Sequence, residues 1–225
     1  MISFDQLCRR SAEVGLAVRG AFHPESGEFD GALRAHGTVV LLGFTGGVQW
    51  EHFAHATEAG DGMPHPLDRW SHRVIGALAR ELGAADIYPS GAPASPIPFQ
   101  RLALRCEPVH PSPIGLLIHA RWGLWHAYRG ALLLPAAIDL PRSRASVPPC
   151  ASCEARPCLS SCPVGAFRPG AYDLETCVGH VRSAAGRECR ELGCLARRAC
   201  PVGAEYRYAA DQANFHMQAF LRSVG

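Results

Sequence analysis

The sequence predicts an α+β protein in which an α/β body carries a separate cysteine-rich module. Three observations lead to this prediction. Segments with strand and helix periodicity alternate through residues 1–142. Eight of the ten cysteines fall within residues 150–200. Apolar residues make up 48% of the chain and the formal net charge is only +2, which is typical of a globular protein and not of a disordered or nucleic-acid-seeking one.

The body contains two strong helix signals and two strong strand signals. The spacing predicts helices over residues 4–13 and 66–82, the second ending at Gly83. The run GTVVLLGF (37–44) is β-branched, apolar and bounded by glycines, and so predicts a buried strand. LWHAYRGALLLP (124–135) predicts another.

Three further elements are predicted from weaker patterns. ADIYPSG (85–91) predicts a short strand followed by a turn, and residues 99–106 predict a helix. YAADQANFHMQAFLRS (208–223) has apolar residues on one face and predicts an amphipathic C-terminal helix.

The composition excludes several classes of chemistry and location. Lysine is absent, so a lysine Schiff base, a pyridoxal-phosphate anchor and a P-loop lysine are all excluded. No stretch approaches the roughly 20 apolar residues of a membrane span. The N-terminus has no secretory pattern, and we therefore expect a cytoplasmic protein with no membrane partner.

The cysteines form two blocks with related endings. The first block reads C-x2-C-x4-C-x3-C-P and contains Cys150, Cys153, Cys158 and Cys162. The second block has wider gaps and contains Cys177, Cys189, Cys194 and Cys200. Both blocks end in the same pentapeptide, CPVGA, at residues 162–166 and 200–204. This internal repeat indicates two halves of similar structure.

The spacing predicts two [4Fe–4S] clusters. In two-cluster bacterial ferredoxins, three cysteines of a block hold one cluster, and the cysteine before proline ligates the other cluster. We therefore assign Cys150, Cys153, Cys158 and Cys200 to a first cluster. The second cluster takes Cys162, Cys177, Cys189 and Cys194. Structural zinc and disulfides are the alternatives, although zinc sites favour paired C-x2-C knuckles and this chain has one such pair.

The chain outside the cysteine module offers a weaker site. Trp122 and Trp125 lie beside His119 and Arg129 in a stripe of aromatic and cationic residues. Such a stripe is more often core and rim, but it could also line a large flat cofactor, because aromatic faces and guanidinium planes stack. GFTGGVQW (43–50) lacks the glycine order of a nucleotide-binding fingerprint.

The stretch IGLLIHARWGLWHAYRGALLLP (114–135) resembles the signature of CblC-type cobalamin-processing proteins. AFHPE (21–25), HPLDRWSHRVIGAL (65–78) and EYRYAADQANF (205–215) are similar to other parts of that family, in the same order. The resemblance implies a nitroreductase/flavin-reductase-like body with an inserted ferredoxin-like di-cluster module. It implies cobalamin as a ligand, and a homodimer is one assembly that such folds adopt.

This resemblance also suggests a pocket. Trp122, Trp125 and Arg129 would line the corrin face, with His119 and Arg207 nearby. Arg129 and Arg207 correspond in position to two glutathione-binding arginines of the family, and a third has no counterpart. The resemblance therefore implies reduction by the clusters rather than thiol attack.

DLETCVGHV (173–181) is similar to a stretch of epoxyqueuosine reductase, which with the reductive dehalogenases also joins a cobalamin-binding domain to two [4Fe–4S] clusters. That reductase has an acidic general acid in a D-S-A-P segment. The nearest segment here, PSGAPASP (89–96), contains no carboxylate, and no basic surface for tRNA is concentrated in the chain.

These patterns predict three regions: a cobalamin-binding body over residues 1–142, a di-cluster module over 143–204, and a C-terminal helix over 205–225 that returns to the body. The principal functional hypothesis is an oxidoreductase that reduces cobalamin with electrons from a ferredoxin or flavoprotein. The second is a non-catalytic electron carrier or cobalamin chaperone, and the third is an epoxyqueuosine-reductase-like enzyme. Nucleic acid is not an expected partner, and the sequence identifies no catalytic residue.

Overall fold

The computed structural model describes residues 2–25, 33, 35–89, 99–142, 146–168 and 170–225. The chain divides into two compact units. The first unit comprises residues 1–108 and 127–144, and the second comprises residues 109–126 and 145–225. Helices and strands occur together as the sequence predicts, so the mixed α and β character is confirmed.

The described elements are numbered in chain order. The strands are β1 (Ala17–Phe22), β2 (Thr38–Thr45), β3 (Ala85–Ile87), β4 (Val109–Pro111), β5 (Leu117–His119), β6 (His126–Leu134), β7 (Phe167–Arg168) and β8 (Ala171–Tyr172). The helices are α1 (Phe4–Glu13), α2 (Trp50–Ala54), α3 (Thr57–Gly60), α4 (Pro66–Leu82), α5 (Phe99–Cys106), α6 (Pro157–Ser160), α7 (Leu174–Arg182), α8 (Arg187–Leu192), α9 (Leu195–Arg198) and α10 (Ala210–Ser223). Single 3-10 turns occur at Pro149–Ala151 and Ala204–Tyr206.

The first unit is built on a four-stranded sheet with the order β1-β2-β6-β3. Strands β1 and β2 pair antiparallel, as do β3 and β6. All residues of β2 except the last are buried, which is why this strand is a continuous apolar run. Gly43 of β2 is required by packing, because a Cβ there would overlap the backbone of Ala127 in β6.

Helices α1 and α4 begin and end where the sequence predicts. Ser3 and Gln6 form a capping box at the start of α1, in which each side chain accepts a hydrogen bond from the other residue's backbone N–H. Helix α4 has Pro66 in its first turn and ends at Gly83, which adopts the left-handed conformation with φ 61°. Trp70 on its buried face packs edge-on against the ring of Phe53.

A buried ion pair crosses the first unit. Arg19 donates from Nε to Glu107 Oε1 over 2.8 Å and from Nη1 to the carbonyl oxygen of Phe44 over 2.9 Å. The Tyr128 hydroxyl donates to Glu107 Oε2 over 2.6 Å. Because neither charged side chain is exposed to solvent, each depends on the other to compensate for the loss of its hydration.

The second unit differs in extent from the predicted module. Residues 109–126 and the C-terminal helix α10 belong to the same unit as the cysteines. The sequence had placed residues 109–126 in the body and predicted that the C-terminal helix returns to the body. The physical reason is contact: α10 packs on α8, and Asn214 Nδ2 donates to the Arg190 carbonyl over 3.1 Å. The hairpin of β4 and β5 contributes Ile118 to an apolar cluster that also contains Ala196.

Within the described part of the chain, no helix has the length and apolar character needed to cross a membrane.

Removal of one partner from the buried ion pair should be costly. We expect Glu107→Ala to lower the free energy of unfolding by about 3–5 kcal/mol, because Arg19 would remain charged and unpaired in the interior. Urea unfolding of the full chain, followed by tryptophan fluorescence, measures this change. The control is Glu81→Ala, which removes an exposed partner of Arg10 and should change stability little. Equal losses in the two variants would contradict the role assigned to the buried pair.

Candidate metal centres

Four cysteines of the second unit form one set, which we call the first set: Cys150, Cys153, Cys158 and Cys200. Burial, followed by the charges of the other three, raises the pKa of the Cys150 thiol. Burial and then the charges of Cys200 and Cys153 raise the pKa of Cys158. Three of these cysteines come from the first sequence block, and Cys200 comes from the end of the second block. The folded chain therefore brings together the residues that the sequence assigned to the first cluster.

The remaining four cysteines line a single small cavity. This second set consists of Cys162, Cys177, Cys189 and Cys194. Burial raises the pKa of the Cys194 thiol. Hydrogen bonds from backbone N–H groups lower it, and the charges of the neighbouring thiols raise it, so that the pKa is raised overall. Cys162 belongs to the first sequence block, so the exchange of the final cysteine between blocks is present in both directions.

The repeated CPVGA pentapeptide forms a related turn in both places. Gly165 and Gly203 both adopt the left-handed conformation, with φ 58° and 67°. In the first turn the backbone N–H of Ala166 donates to Cys162 Sγ over 3.3 Å. In the second turn the backbone of Val202 hydrogen-bonds Cys200. Proline after the cysteine and glycine three residues later therefore direct backbone donors toward sulfur.

Short helices hold the other cysteines of the second set. Asp173 caps α7 by accepting a hydrogen bond from the Thr176 N–H over 3.0 Å, and Cys177 lies in the next turn. Cys189 is buried within α8. Cys194 is the N-cap of α9 and accepts hydrogen bonds from backbone groups in the first turn of that helix. The start of α9 therefore directs backbone N–H groups toward the Cys194 sulfur, which would carry negative charge.

The donor chemistry of both sets fits an iron–sulfur cluster. All ten cysteines are free thiols in the structure. Four thiols and several backbone N–H donors per set are the ligands and hydrogen bonds that [4Fe–4S] clusters use. Within the described ranges, no three His, Cys, Asp or Glu side chains gather around one point as a single ion would require. A cubane does not require such convergence, because each of its thiolates binds a different iron.

The loop that follows β5 is closed by two backbone hydrogen bonds between His119 and Gly123, of 2.8 and 2.9 Å. His119 is buried, and its Nδ1 accepts from the N–H groups of Arg121 and Trp122 over 2.9 and 3.3 Å. Its ring stacks on Trp122 with a centroid distance of 4.0 Å. Two of the residues that the sequence proposed for the corrin pocket, His119 and Trp122, therefore pack on each other in this loop.

Arg197 binds the same loop to the cysteine segment. Its guanidinium lies 4.5 Å from the ring centroid of Trp125 and 4.7 Å from that of Tyr208. Nη2 donates to the Leu124 carbonyl oxygen over 2.6 Å. Trp125 is buried, with 3% of its surface exposed. Trp125 and Tyr208 therefore both pack against the Arg197 cation.

The two predicted pocket arginines lie in different units. Arg129 in the first unit faces the carboxylate of Asp68, with an Nη1–Oδ1 distance of 3.4 Å. Arg207 in the second unit donates to the carbonyl oxygen of Arg198 over 2.6 Å. The five predicted pocket residues are thus not gathered within either unit taken by itself. The PSGAPASP segment compared above (89–96) lies outside the described residues from residue 90 onward.

Sequence reasoning missed three side chains near the second set. His180 and Met217 line its cavity together with the four cysteines. Burial raises the pKa of the Cys177 thiol, and the nearby Tyr172 side chain lowers it. His180 follows Cys177 by three residues and therefore shares its helix face, a signal that was available. Met217 comes from α10 and could be found only from the folded chain.

No protein-family model and no curated protein matches this chain. Several solved epoxyqueuosine reductase structures are similar to it, at 13–14% identity for the three described next. One, bound to an epoxyqueuosine-modified tRNA-Tyr stem loop, aligns with 93% of this chain and 69% of its own at 14% identity and a TM-score of 0.46. The Streptococcus thermophilus reductase aligns over 90% and 66% at 13% identity and a TM-score of 0.49. The Bacillus subtilis reductase aligns over 79% and 51% at 14% identity and a TM-score of 0.42.

These reductases belong to the group named in the third functional hypothesis, and none of the three is a CblC-type protein. Their TM-scores lie below 0.5, so no property is transferred from them to this chain.

The two turns provide a matched pair of substitutions. We expect Gly165→Ala to cost about 1–2 kcal/mol, the ordinary strain of a left-handed alanine, because a Cβ there meets nothing within 4 Å. Gly203→Ala should cost considerably more, because its Cβ would also overlap the backbone of Trp122 and Gly123. Denaturant unfolding of the anaerobically purified chain, followed by tryptophan fluorescence, measures both. Equal costs would show that the Gly203 contact is unimportant.

Proposed function

We propose that the second unit holds two [4Fe–4S] clusters and that the protein is an oxidoreductase that transfers electrons one at a time. The observation that carries this proposal is the gathering of eight cysteines into two sets of four, one of them around a single cavity. Four thiols confined together resist ionisation because thiolates repel one another. Iron removes that repulsion by binding each sulfur as a thiolate.

We propose the ligands set by set. Cys150, Cys153, Cys158 and Cys200 hold one cluster. Cys162, Cys177, Cys189 and Cys194 hold the other. Cys162 and Cys200 are each the last cysteine of one sequence block and join the set of the opposite block, which supports two pseudo-symmetric halves packed closely together.

Clusters of this type supply a one-electron couple whose potential depends on charge, burial and hydrogen bonds to sulfur. The chain contributes the hydrogen bonds to sulfur and the burial. Backbone N–H groups such as that of Ala166 stabilise negative charge on sulfur. Apolar side chains exclude water: Ile118 and Leu124 belong to the cluster of buried residues against which Cys150 and Cys158 pack.

The electron acceptor is a further proposal. A corrinoid, either as the reduced substrate or as a cofactor, is supported by the resemblance of residues 114–135 to CblC-type proteins. His119, Trp125 and Arg129 already contact other side chains of their own unit. A ferredoxin or flavoprotein is the proposed donor. A cytoplasmic location, the absence of a nucleic-acid or membrane partner and a homodimer remain predictions.

An epoxyqueuosine-reductase-like activity is the second candidate, and a specific observation favours it. In the DLETCVGHV stretch, Asp173 is the N-cap of α7. Its carbonyl oxygen accepts a hydrogen bond from the Cys177 N–H over 3.1 Å. The stretch that resembles the reductase is therefore placed at a proposed cluster ligand. A non-catalytic electron carrier or cobalamin chaperone is the alternative without catalysis.

The ligand sets can be tested with cysteine-to-serine variants. The anaerobically purified protein should contain about eight irons and eight sulfides per chain and show two reduction couples. We expect Cys162→Ser and Cys189→Ser to alter the same couple. Cys200→Ser and Cys150→Ser should alter the other. Voltammetry, together with iron and sulfide analysis, measures these effects.

Cys8→Ser is the matched control, because Cys8 lies in α1 of the first unit and should leave both couples and the iron content unchanged. If Cys162→Ser altered the couple of Cys150, the exchange between blocks would be wrong. Zinc without sulfide would overturn the cluster proposal as a whole.

The acceptor can be tested by offering each candidate to the reduced protein. Hydroxocobalamin should show a shifted corrin spectrum and become cob(II)alamin only when the clusters are reduced. If cobalamin is instead a cofactor, an epoxyqueuosine-containing tRNA stem loop should be converted only in its presence, with the unmodified stem loop as the control. Binding of cobalamin without either reaction favours the carrier or chaperone, and absence of binding contradicts a role for cobalamin.

A further inference from the structure

One arginine lies in the chain between a cysteine of the first set and a cysteine of the second. Helix α9 begins after Cys194, its N-cap, which belongs to the second set. The N–H of Cys200, which belongs to the first set, donates to the Arg197 carbonyl oxygen over 3.3 Å. Arg197 is three residues from each cysteine, a rise of about 4.5 Å along a helix. One short helical segment therefore joins the two proposed cluster sites, with Arg197 at its centre.

The side chain of Arg197 is held by three residues. Its guanidinium lies 4.5 Å from the ring centroid of Trp125 and 4.7 Å from that of Tyr208. Its Nε and Nη2 both donate to the Leu124 carbonyl oxygen, over 3.2 and 2.6 Å. Because two rings and two hydrogen bonds hold the same planar group, the positive charge has a fixed position in the second unit.

The residue that Arg197 binds belongs to the apolar core beside the cysteines. Leu124 is buried in one cluster with Ala196 and Cys200. Cysteines of both sets pack against this cluster, namely Cys150, Cys158, Cys162 and Cys194. The cation therefore lies at the edge of an apolar region that both sets contact. Charges interact more strongly across such a region than across water, because its effective dielectric constant is lower.

No carboxylate in the described part of the chain forms an ion pair with Arg197. Its neighbour Arg198 differs, because Nη1 of that residue lies 2.8 Å from Glu188 Oε1. The charge of Arg198 is therefore compensated by a carboxylate of the same unit. A guanidinium remains charged throughout the physiological pH range. Arg197 thus places a permanent positive charge beside segments that carry cysteines of both sets.

We infer that the charge of Arg197 raises the reduction potentials of both clusters. The inference rests on the proposed function, since it needs the clusters to be present. Reduction adds one electron to a cluster and makes it more negative, so a nearby fixed cation stabilises the reduced form more than the oxidised form. Arg197 acts through space and binds no iron. Because it lies between ligands of the two sets, both couples respond to it.

Two substitutions separate the charge of Arg197 from its packing. Arg197→Gln removes the charge and keeps an N–H donor for the Leu124 carbonyl oxygen. We expect both couples to move to lower potential, by up to about tenfold in the ratio of reduced to oxidised cluster, or about 59 mV for a one-electron couple. Arg197→Lys keeps the charge and loses the planar group that stacks on the two rings. It should shift each couple by less than half as much. Voltammetry of the anaerobically purified full chain, with both clusters loaded, measures these shifts.

Arg222→Gln is the matched control, because it removes an exposed cation from α10 of the same unit. It should move neither couple, since water and salt screen an exposed charge. A role of Arg197 in packing alone predicts the opposite order of the two variants. Lysine reproduces neither the stacking nor the paired hydrogen bonds, so Arg197→Lys would then disturb the couples at least as much as Arg197→Gln.

The lysine variant also provides a second measurement. A lysine side chain loses its proton at a pH of about 10.4 when no neighbour perturbs it. Raising the pH through this range should lower both couples of Arg197→Lys relative to the wild-type chain at the same pH. The comparison is made within one variant, so it decides the inference if Arg197→Gln does not load both clusters. Couples that follow those of the wild-type chain at every pH would contradict the inference.

The outcomes distinguish the two proposals. A wild-type chain without iron and sulfide overturns the proposed function. A wild-type chain with two couples, of which one or neither falls when the charge of residue 197 is removed, overturns only the role of Arg197. Loss of clusters from both the glutamine and the lysine variant would assign Arg197 to the packing of the unit, and would overturn its role in setting the potentials.

Discussion

The second unit depends on the close approach of two backbones, at Gly123 and Gly203. Both residues are left-handed, with φ 56° and 67°, and a Cβ on either would overlap the chain of the other segment. Because Gly203 ends the second CPVGA turn, this contact fixes the backbone three residues beyond Cys200. It also explains why residues 109–126 belong with the cysteines and not with the body. The Arg197 guanidinium, bonded to the Leu124 carbonyl oxygen, holds the same two segments together.

The environment of each cysteine set follows from the elements around it. The repeated turns direct N–H groups toward sulfur, and the helix that begins after Cys194 does the same from its first turn. These are fixed dipoles, so they can stabilise negative charge on sulfur without rearrangement when an electron arrives. Both sets contain four cysteines and receive hydrogen bonds from the backbone.

Every residue of the proposed cluster sites belongs to the second unit, so the electron-transfer role can be argued from that unit alone. The identity of the acceptor concerns residues of both units. In the interior of the first unit, Arg19 and the Tyr128 hydroxyl both donate hydrogen bonds to the Glu107 carboxylate. In the second unit, the aromatic residues of the 119–125 loop pack against His119 and Arg197. The chemistry of the acceptor is therefore a question for experiment, and the proposed electron source belongs to the second unit.

The sequence by itself determined the local elements and the ligand types. Helices α1, α4 and α5 have the predicted limits, because caps, proline and glycine act within a few residues of each helix end. Cysteine spacing likewise indicated two sets and the exchange of their last members, since that information lies in the repeat. Tertiary structure decided which distant segments meet. The grouping of α10 with α8, the Met217 side chain in the second cavity and the contact of Gly123 with Gly203 all join residues far apart in the chain. Such contacts are selected by packing of the whole unit, and no local pattern encodes them.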